Sequence, residues 1–162
     1  MKKYHVYIIL PLIISLIIYT FFRSENIIIN QIIYDFYPKP HHFTLNISNF
    51  LIYNLPQGLW VFSATLISKN LYIKKFNLAF LPLIFSFYIE TIQYFHLTNG
   101  TFDSWDLITA VISFIMAYFF VSCPYKKEQL FYTFNFRTIL FSFSYLIVFL
   151  SVYNTNHYFL NN

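Results

Sequence analysis

The sequence predicts an all-α, polytopic helical membrane protein with four or five transmembrane helices. Of its 162 residues, 58% are hydrophobic and only 10% are charged, and the mean hydropathy is +0.56. A soluble domain of this length needs more polar surface than that, so the composition favours a bilayer as solvent. The chain is too short for a helical bundle and a separate soluble core, so we expect a single transmembrane domain over residues 1–162.

Five apolar runs supply the expected helices. A helix rises ~1.5 Å per residue, so runs of roughly 17–21 residues cross a hydrocarbon core of about 30 Å. The last run is the shortest, and the choice between four and five spans depends on it. The first run is expected to be an uncleaved anchor, because no small-residue cleavage site follows it. The runs are residues 6–22, 47–67, 77–95, 105–121 and 138–153.

The basic residues set the expected orientation, since cytoplasmic loops of membrane proteins are enriched in Lys and Arg. With a cytoplasmic N-terminus, eight basic residues fall inside, and only Arg23 and Lys39 fall outside. The longest outer segment is Ser24–Thr44, in which Ile27–Tyr37 is expected to lie along the interface. The expected location is the cytoplasmic (inner) membrane, with several passes. The eight inner residues are Lys2, Lys3, Lys69, Lys74, Lys75, Lys126, Lys127 and Arg137.

Half of the six acidic residues lie between Tyr88 and Leu107, where the third run ends and the fourth begins. Glu90, Asp103 and Asp106 therefore meet on the outer side of the predicted bundle. Glu90 lies ~7–8 Å below the end of its helix, where a carboxylate is costly and rarely faces lipid, so it should face the bundle. Gln93 shares its helix face.

The acidic pair Asp103 and Asp106 has a structural interpretation as well as a functional one. Asp103 or Ser104 can cap the fourth helix, with Asp106 in its first turn beside the positive end of the helix dipole. Glu90 has no cap to make, so a functional or network-forming role is favoured for it. Gln93 also suits a plain interhelical hydrogen bond.

The second run is interrupted by Pro56, Gln57 and Gly58. Pro removes one backbone hydrogen bond, and Gly lets another segment approach closely. One interpretation is a simple kink. The other is a break that lines a polar pocket, with Asn54 and Gln57 nearby, and the sequence leaves both open.

Several kinds of site are not expected. The basic residues are scattered in small groups, so no nucleic-acid partner is predicted. The lone Cys123 excludes an internal disulfide, and no nucleophile elbow is recognisable. Hard ligands are available, but their spacing is too permissive to predict a metal, so no metal and no cofactor are expected. These ligands are Glu90, His96, Asp103 and Asp106, with His41 and His42.

Three motifs in order resemble the VanZ-like integral membrane proteins. Glu90-Thr-Ile-Gln93 matches the E-x-x-Q of that family, and Asp103-Ser-Trp-Asp106 matches its downstream D-x-x-D. Asn49–Trp60 is similar to the family's earlier helix with its P-x-G. The resemblance covers a core of about residues 49–118. It departs from the family at Thr101, where an Arg is common, and at Ala110 and Ser113, where Asn and Gly are usual.

The resemblance implies a small bacterial membrane protein associated with the cell envelope and, through the family's name, with glycopeptide antibiotic resistance. It implies no reaction, so the leading hypothesis is a non-enzymatic protein that binds an envelope component, cationic or lipid-linked, among membrane lipids. The alternatives are an enzyme acting on a lipid-linked envelope substrate and a small transporter with Glu90 as proton relay. The pocket candidates are Glu90, Gln93, Asp103, Asp106, Asn54, Pro56, Gln57 and Gly58.

Overall fold

A computed structural model describes residues 2–22, 35–36, 48–97, 101–132 and 135–152. Within these ranges the chain is mostly helical. The helices are α1 Lys2–Phe22, α2 Asn49–Tyr53, α3 Leu55–Ser68, α4 Leu81–Tyr94, α5 Ser104–Ile115 and α6 Phe136–Val152. Helix α4 is preceded by a 3₁₀ turn at Leu78–Phe80, and α5 continues as a π-helical turn at Met116–Phe120.

Each apolar run contains a helix at the predicted place, and the second run contains two, α2 and α3. Two stretches, Tyr4–Phe22 and Phe50–Ser68, are long and apolar enough to cross a membrane. The other three apolar helices of the described residues are shorter: Leu78–Tyr94, Ser104–Phe120 and Phe136–Leu150.

The expectation of an all-α fold is wrong in one respect, because a small sheet joins the loops at one end of the bundle. Strands β1 (Leu71–Ile73) and β2 (Phe76–Asn77) form an antiparallel hairpin, and β3 (Glu128–Gln129) pairs with β1 in parallel. Backbone N–H and C=O groups need partners wherever they are shielded from water. These two loops lie side by side and pair with each other.

Helix α3 is the centre of the packing. Every one of its residues from Val61 to Ser68 except Phe62 is buried, and the helix contacts α1, α4, α5 and α6. A β-carbon added at Gly58 would lie 2.9 Å from Ser113 Oγ. Gly58 therefore permits α3 and α5 to approach more closely than a larger residue would allow.

The outer surface of the bundle is apolar. Large hydrophobic side chains are exposed along α1, α4, α5 and α6, while several polar side chains are buried between the helices. Soluble proteins rarely expose apolar area on this scale. Examples of the exposed side chains are Val6, Leu10, Ile84, Phe87, Ile108, Ile112, Phe143 and Leu146.

The two ends of the bundle differ chemically. Tyr4 donates to the carbonyl of Leu66 at 2.7 Å, and Ser15 donates to that of Pro56 at 3.0 Å, so α1 runs antiparallel to α3. The start of α1 thus lies at the end of α3 that carries Lys69 and the small sheet, which we call the basic end. The opposite end of α3, about 21 Å away, lies beside the acidic residues.

Some predicted features fall outside the described residues. They are the interfacial segment Ile27–Tyr37, of which only residues 35–36 are described, as a helical pair, and the histidines His41 and His42.

Candidate functional site

Three carboxylates and one amide converge where α4 ends and α5 begins, and we call Glu90, Asp103, Asp106 and Asn54 the acidic cluster. Glu90 is 1% exposed, Asn54 3% and Asp106 9%. Glu90 thus faces the bundle, as its predicted depth required. Asp103 is partly buried, so the cluster is buried on most of its sides.

The helix break places Asn54 in this cluster. Helix α2 ends at Tyr53, and Pro56, which has no N–H to donate, lies in the first turn of α3. At the break, Asn54 Nδ2 donates to Asp103 Oδ2 at 2.8 Å and to Asp106 Oδ1 at 3.0 Å. The sequence left open whether Pro56 causes a simple kink or a break lined by polar side chains. The chain breaks there, and the polar Asn54 side chain lies at the break.

Asp103 makes one contact within its own helix and one contact with α4. It is the N-cap of α5, where its Oδ1 accepts a hydrogen bond from Trp105 N at 2.9 Å, so the predicted capping is confirmed. Ser104 is the first helical residue instead. The Asp103 backbone N–H also donates to Glu90 Oε2 at 3.1 Å, which ties the end of α4 to the start of α5.

Glu90 is incompletely satisfied. Its Oε2 accepts from Asp103, whereas its Oε1 is buried and has no hydrogen-bond partner among the described residues. A buried acceptor without a donor costs about 1–3 kcal/mol, and more when it is charged. Such atoms are uncommon in native structures, so Glu90 Oε1 is available to accept from a further donor.

The other pocket candidates lie around the cluster. Gln57 lies close enough to Glu90 for its amide to stabilise the carboxylate, and the same amide donates to Ser86 Oγ at 2.7 Å. Gln93 is half-buried, and its side chain makes no hydrogen bond within the described residues. Pro56 accepts the hydrogen bond from Ser15, and Gly58 packs against Ser113, so both serve helix packing.

Sequence reasoning missed Ser86, which is fully buried and receives the Gln57 amide. Its position four residues before Glu90 puts it on the same helix face, and that spacing was the available signal. Among the candidate metal ligands, His96 is exposed. In the described parts of the chain, no group of three His, Cys, Asp or Glu side chains is placed to hold a metal ion.

A second polar cluster lies at the basic end and is built on Arg137 and Lys69. In the sequence these two residues served only to predict the orientation in the membrane. Arg137 is 5% exposed. Its Nε donates to the Ile67 carbonyl at 2.6 Å, another guanidinium nitrogen donates to the Lys69 carbonyl, and its plane lies 4.4 Å from the Tyr125 ring centre. One side chain therefore satisfies carbonyls at the C-terminus of α3 that have no partner within the helix.

Lys69 likewise donates hydrogen bonds to carbonyls at the end of α5. Its Nζ donates to the carbonyls of Tyr118 and Val121, both at 2.6 Å, where the π-helical turn ends. Cations at helix C-termini are favoured by the helix dipole. Burial lowers the pKa of Lys69 below its usual value. Its amino group nevertheless donates hydrogen bonds to two carbonyls.

Comparison with protein-family models, with curated proteins and with solved structures finds no match for this chain.

Proposed function

We propose that the chain is a multi-pass protein of the bacterial cytoplasmic membrane, VanZ-like in type, that binds an amine-bearing or otherwise cationic envelope component at the acidic cluster. Two apolar helices of spanning length and the apolar outer surface of the bundle support the membrane assignment. The three shorter apolar helices pack beside them and complete the proposed set of five spans.

The chemical difference between the two ends supports the orientation. Lys69, Lys74, Lys75, Lys127 and Arg137 all belong to the basic end, together with the start of α1. The positive-inside rule assigns this end to the cytoplasm, and the acidic cluster then lies on the outer side.

Topology provides the first test. Reporter fusions after Asn77 and after Asn99 should give a cytoplasmic and an external signal, respectively, because α4 lies between them and would cross the membrane. A cytoplasmic signal from the Asn99 fusion would rule out the proposed orientation of the acidic cluster.

One observation carries the binding proposal: Glu90 Oε1 is buried beside two further carboxylates and has no donor among the described residues. An ammonium group has three donors and a positive charge, so it would satisfy this acceptor and offset the clustered negative charge. Attraction between opposite charges is strongest where water is excluded, as it is around Glu90.

The second test uses Glu90→Gln. The amide oxygen of Gln can still accept from Asp103 N–H, so the variant should accumulate in the membrane like the wild type. Removing a buried charge is neutral or stabilising when the charge has only a structural role. Binding of a cation should be lost, because the charged acceptor is gone.

Binding is measured on the purified full-length protein with dodecylamine as the amphiphilic ammonium probe and dodecanol as its uncharged match. A ligand that binds only the folded state raises the melting temperature with concentration. Dodecylamine should stabilise the wild type and the control Glu128→Gln, which alters a carboxylate at the opposite end, but not Glu90→Gln. Equal stabilisation of wild type and Glu90→Gln, or equal effects of amine and alcohol, would refute the proposal. In cells, full complementation of a deletion phenotype by Glu90→Gln would mean that the acidic cluster serves only helix packing.

A further inference from the structure

The basic end carries a cavity of about 330 Å³, open to the surface, between the hairpin and the strand paired with it. This volume is within the range of small-molecule binding sites. Three of its lining side chains are lysines and only one is acidic. The cavity is lined by Tyr72, Lys74, Lys75, Lys127, Glu128 and Gln129.

The small sheet brings the three lysines together. Lys74 and Lys75 form the two-residue turn between β1 and β2, and Lys127 directly precedes β3, which pairs with β1. Gln129 Nε2 donates to the Lys74 carbonyl at 3.1 Å and so fastens the turn to β3. Lysines from two distant segments therefore border one cavity only because these strands pair.

The acidic residue of the cavity does not neutralise these lysines. Glu128 Oε2 accepts from Asn135 Nδ2 at 3.3 Å and lies 3.6 Å from an Arg137 guanidinium nitrogen, so it is engaged on another side. Lys74 and Lys75 form no ion pair within the described residues. Lys127 Nζ lies 5.9 Å from the centre of the Tyr72 ring, a cation–π contact that leaves its charge uncompensated.

We propose that this cavity binds a phosphate group, presented by the headgroup of an anionic phospholipid. Three ammonium groups around one cavity repel each other, and an anion between them would relieve that repulsion. Lysine binds phosphate as a flexible point charge, and a tyrosine beside it is typical of the headgroup region. The loops that carry these residues join apolar helices at the basic end, which is where headgroups would lie if those helices cross a membrane.

The test compares two neighbouring lysines in the full-length protein. Lys127 lines the cavity, whereas the exposed Lys126 does not, so Lys127→Gln and Lys126→Gln remove the same charge from almost the same place. Retention of phosphatidylglycerol is measured by native mass spectrometry after transfer from nanodiscs of phosphatidylcholine and phosphatidylglycerol. Lys127→Gln should weaken retention about 5-fold, and Lys126→Gln should leave it nearly unchanged. Equal losses would show diffuse attraction to the surface and would overturn the site.

Lys74→Gly guards against an effect of misfolding. Lys74 has a φ of 54°, a left-handed conformation that glycine adopts without steric cost. This variant should therefore melt no lower than the wild type and still lose phosphatidylglycerol retention. Undiminished retention in Lys74→Gly would count against the cavity.

A second experiment distinguishes the source of the phosphate. The melting temperature of the protein in phosphatidylcholine nanodiscs is measured alone, with millimolar inorganic phosphate, and with phosphatidylglycerol included in the nanodisc. Stabilisation by phosphatidylglycerol but not by inorganic phosphate supports the lipid headgroup. The reverse result would overturn the lipid source, and stabilisation by neither would overturn the proposal.

Discussion

Replacing Arg137 with methionine is expected to destabilise the protein by about 3 kcal/mol. Methionine retains much of the side-chain volume but removes the guanidinium donors, so the Ile67 carbonyl loses its donor and the Lys69 carbonyl keeps only the weak Cys123 Sγ donor at 3.5 Å. Each buried acceptor that loses its partner costs about 1–3 kcal/mol, and the lost contact with the Tyr125 ring adds about 0.5–1 kcal/mol. Unfolding of the purified protein by titration with sodium dodecyl sulfate gives the free energy.

Two control variants identify the source of that loss. Glu128→Gln removes the charge opposite Arg137, but this pair is long and partly exposed, so it should cost less than about 1 kcal/mol. Lys126→Gln lies on the exposed surface and should change stability by about 0.5 kcal/mol or less. If Glu128→Gln were as damaging as Arg137→Met, the ion pair and not the capping of α3 would be the main contribution.

Replacing Asn54 with leucine is expected to cost about 2–4 kcal/mol. Leucine has the same number of side-chain heavy atoms and the same branching as asparagine, but both amide hydrogen bonds to the carboxylates of Asp103 and Asp106 are lost. Hydrogen bonds to charged groups contribute roughly 1.5–3 kcal/mol each, and Asn54 is almost completely buried, so water does not replace them freely. The same titration measures the loss.

A double-mutant cycle isolates the contact. Asp106→Asn keeps a polar side chain of the same shape, and Asn54→Leu should cost less in that background than in the wild type. We expect a coupling energy of about 1 kcal/mol or more. Costs that add within about 0.5 kcal/mol would mean that Asn54 stabilises the helix break without depending on the carboxylates.

Burial of Glu90 could be predicted because it follows from the spacing of residues along one helix. Its place in an apolar run, at helical spacing from the run's end, already puts a carboxylate below the expected helix terminus. Capping by Asp103 was equally local, since an N-cap contacts its own first turn. Asn54 was among the pocket candidates, but its hydrogen bonds to those acids depend on the geometry of the break at Pro56, which is not a local property.

The role of Arg137 was not predictable in the same way. A cation in the first turn of its own helix opposes that helix's dipole, so sequence alone made it a topology marker at most. Its partners are carbonyls of α3, some 70 residues earlier in the chain. Backbone acceptors leave no trace in a sequence, so nothing in the amino-acid pattern identified them.

Local sequence properties account for the apolar helices, the expected bilayer solvent and the expected side of the membrane for the basic residues. These properties depend on composition and on the 1.5 Å rise of a helix, both of which involve only neighbouring residues. The packing of distant segments instead pairs two loops as a sheet around a lysine-lined cavity and buries Glu90 Oε1 without a donor among the described residues. Those outcomes depend on which segments become neighbours, because hydrogen-bond partners distant in sequence are chosen by packing.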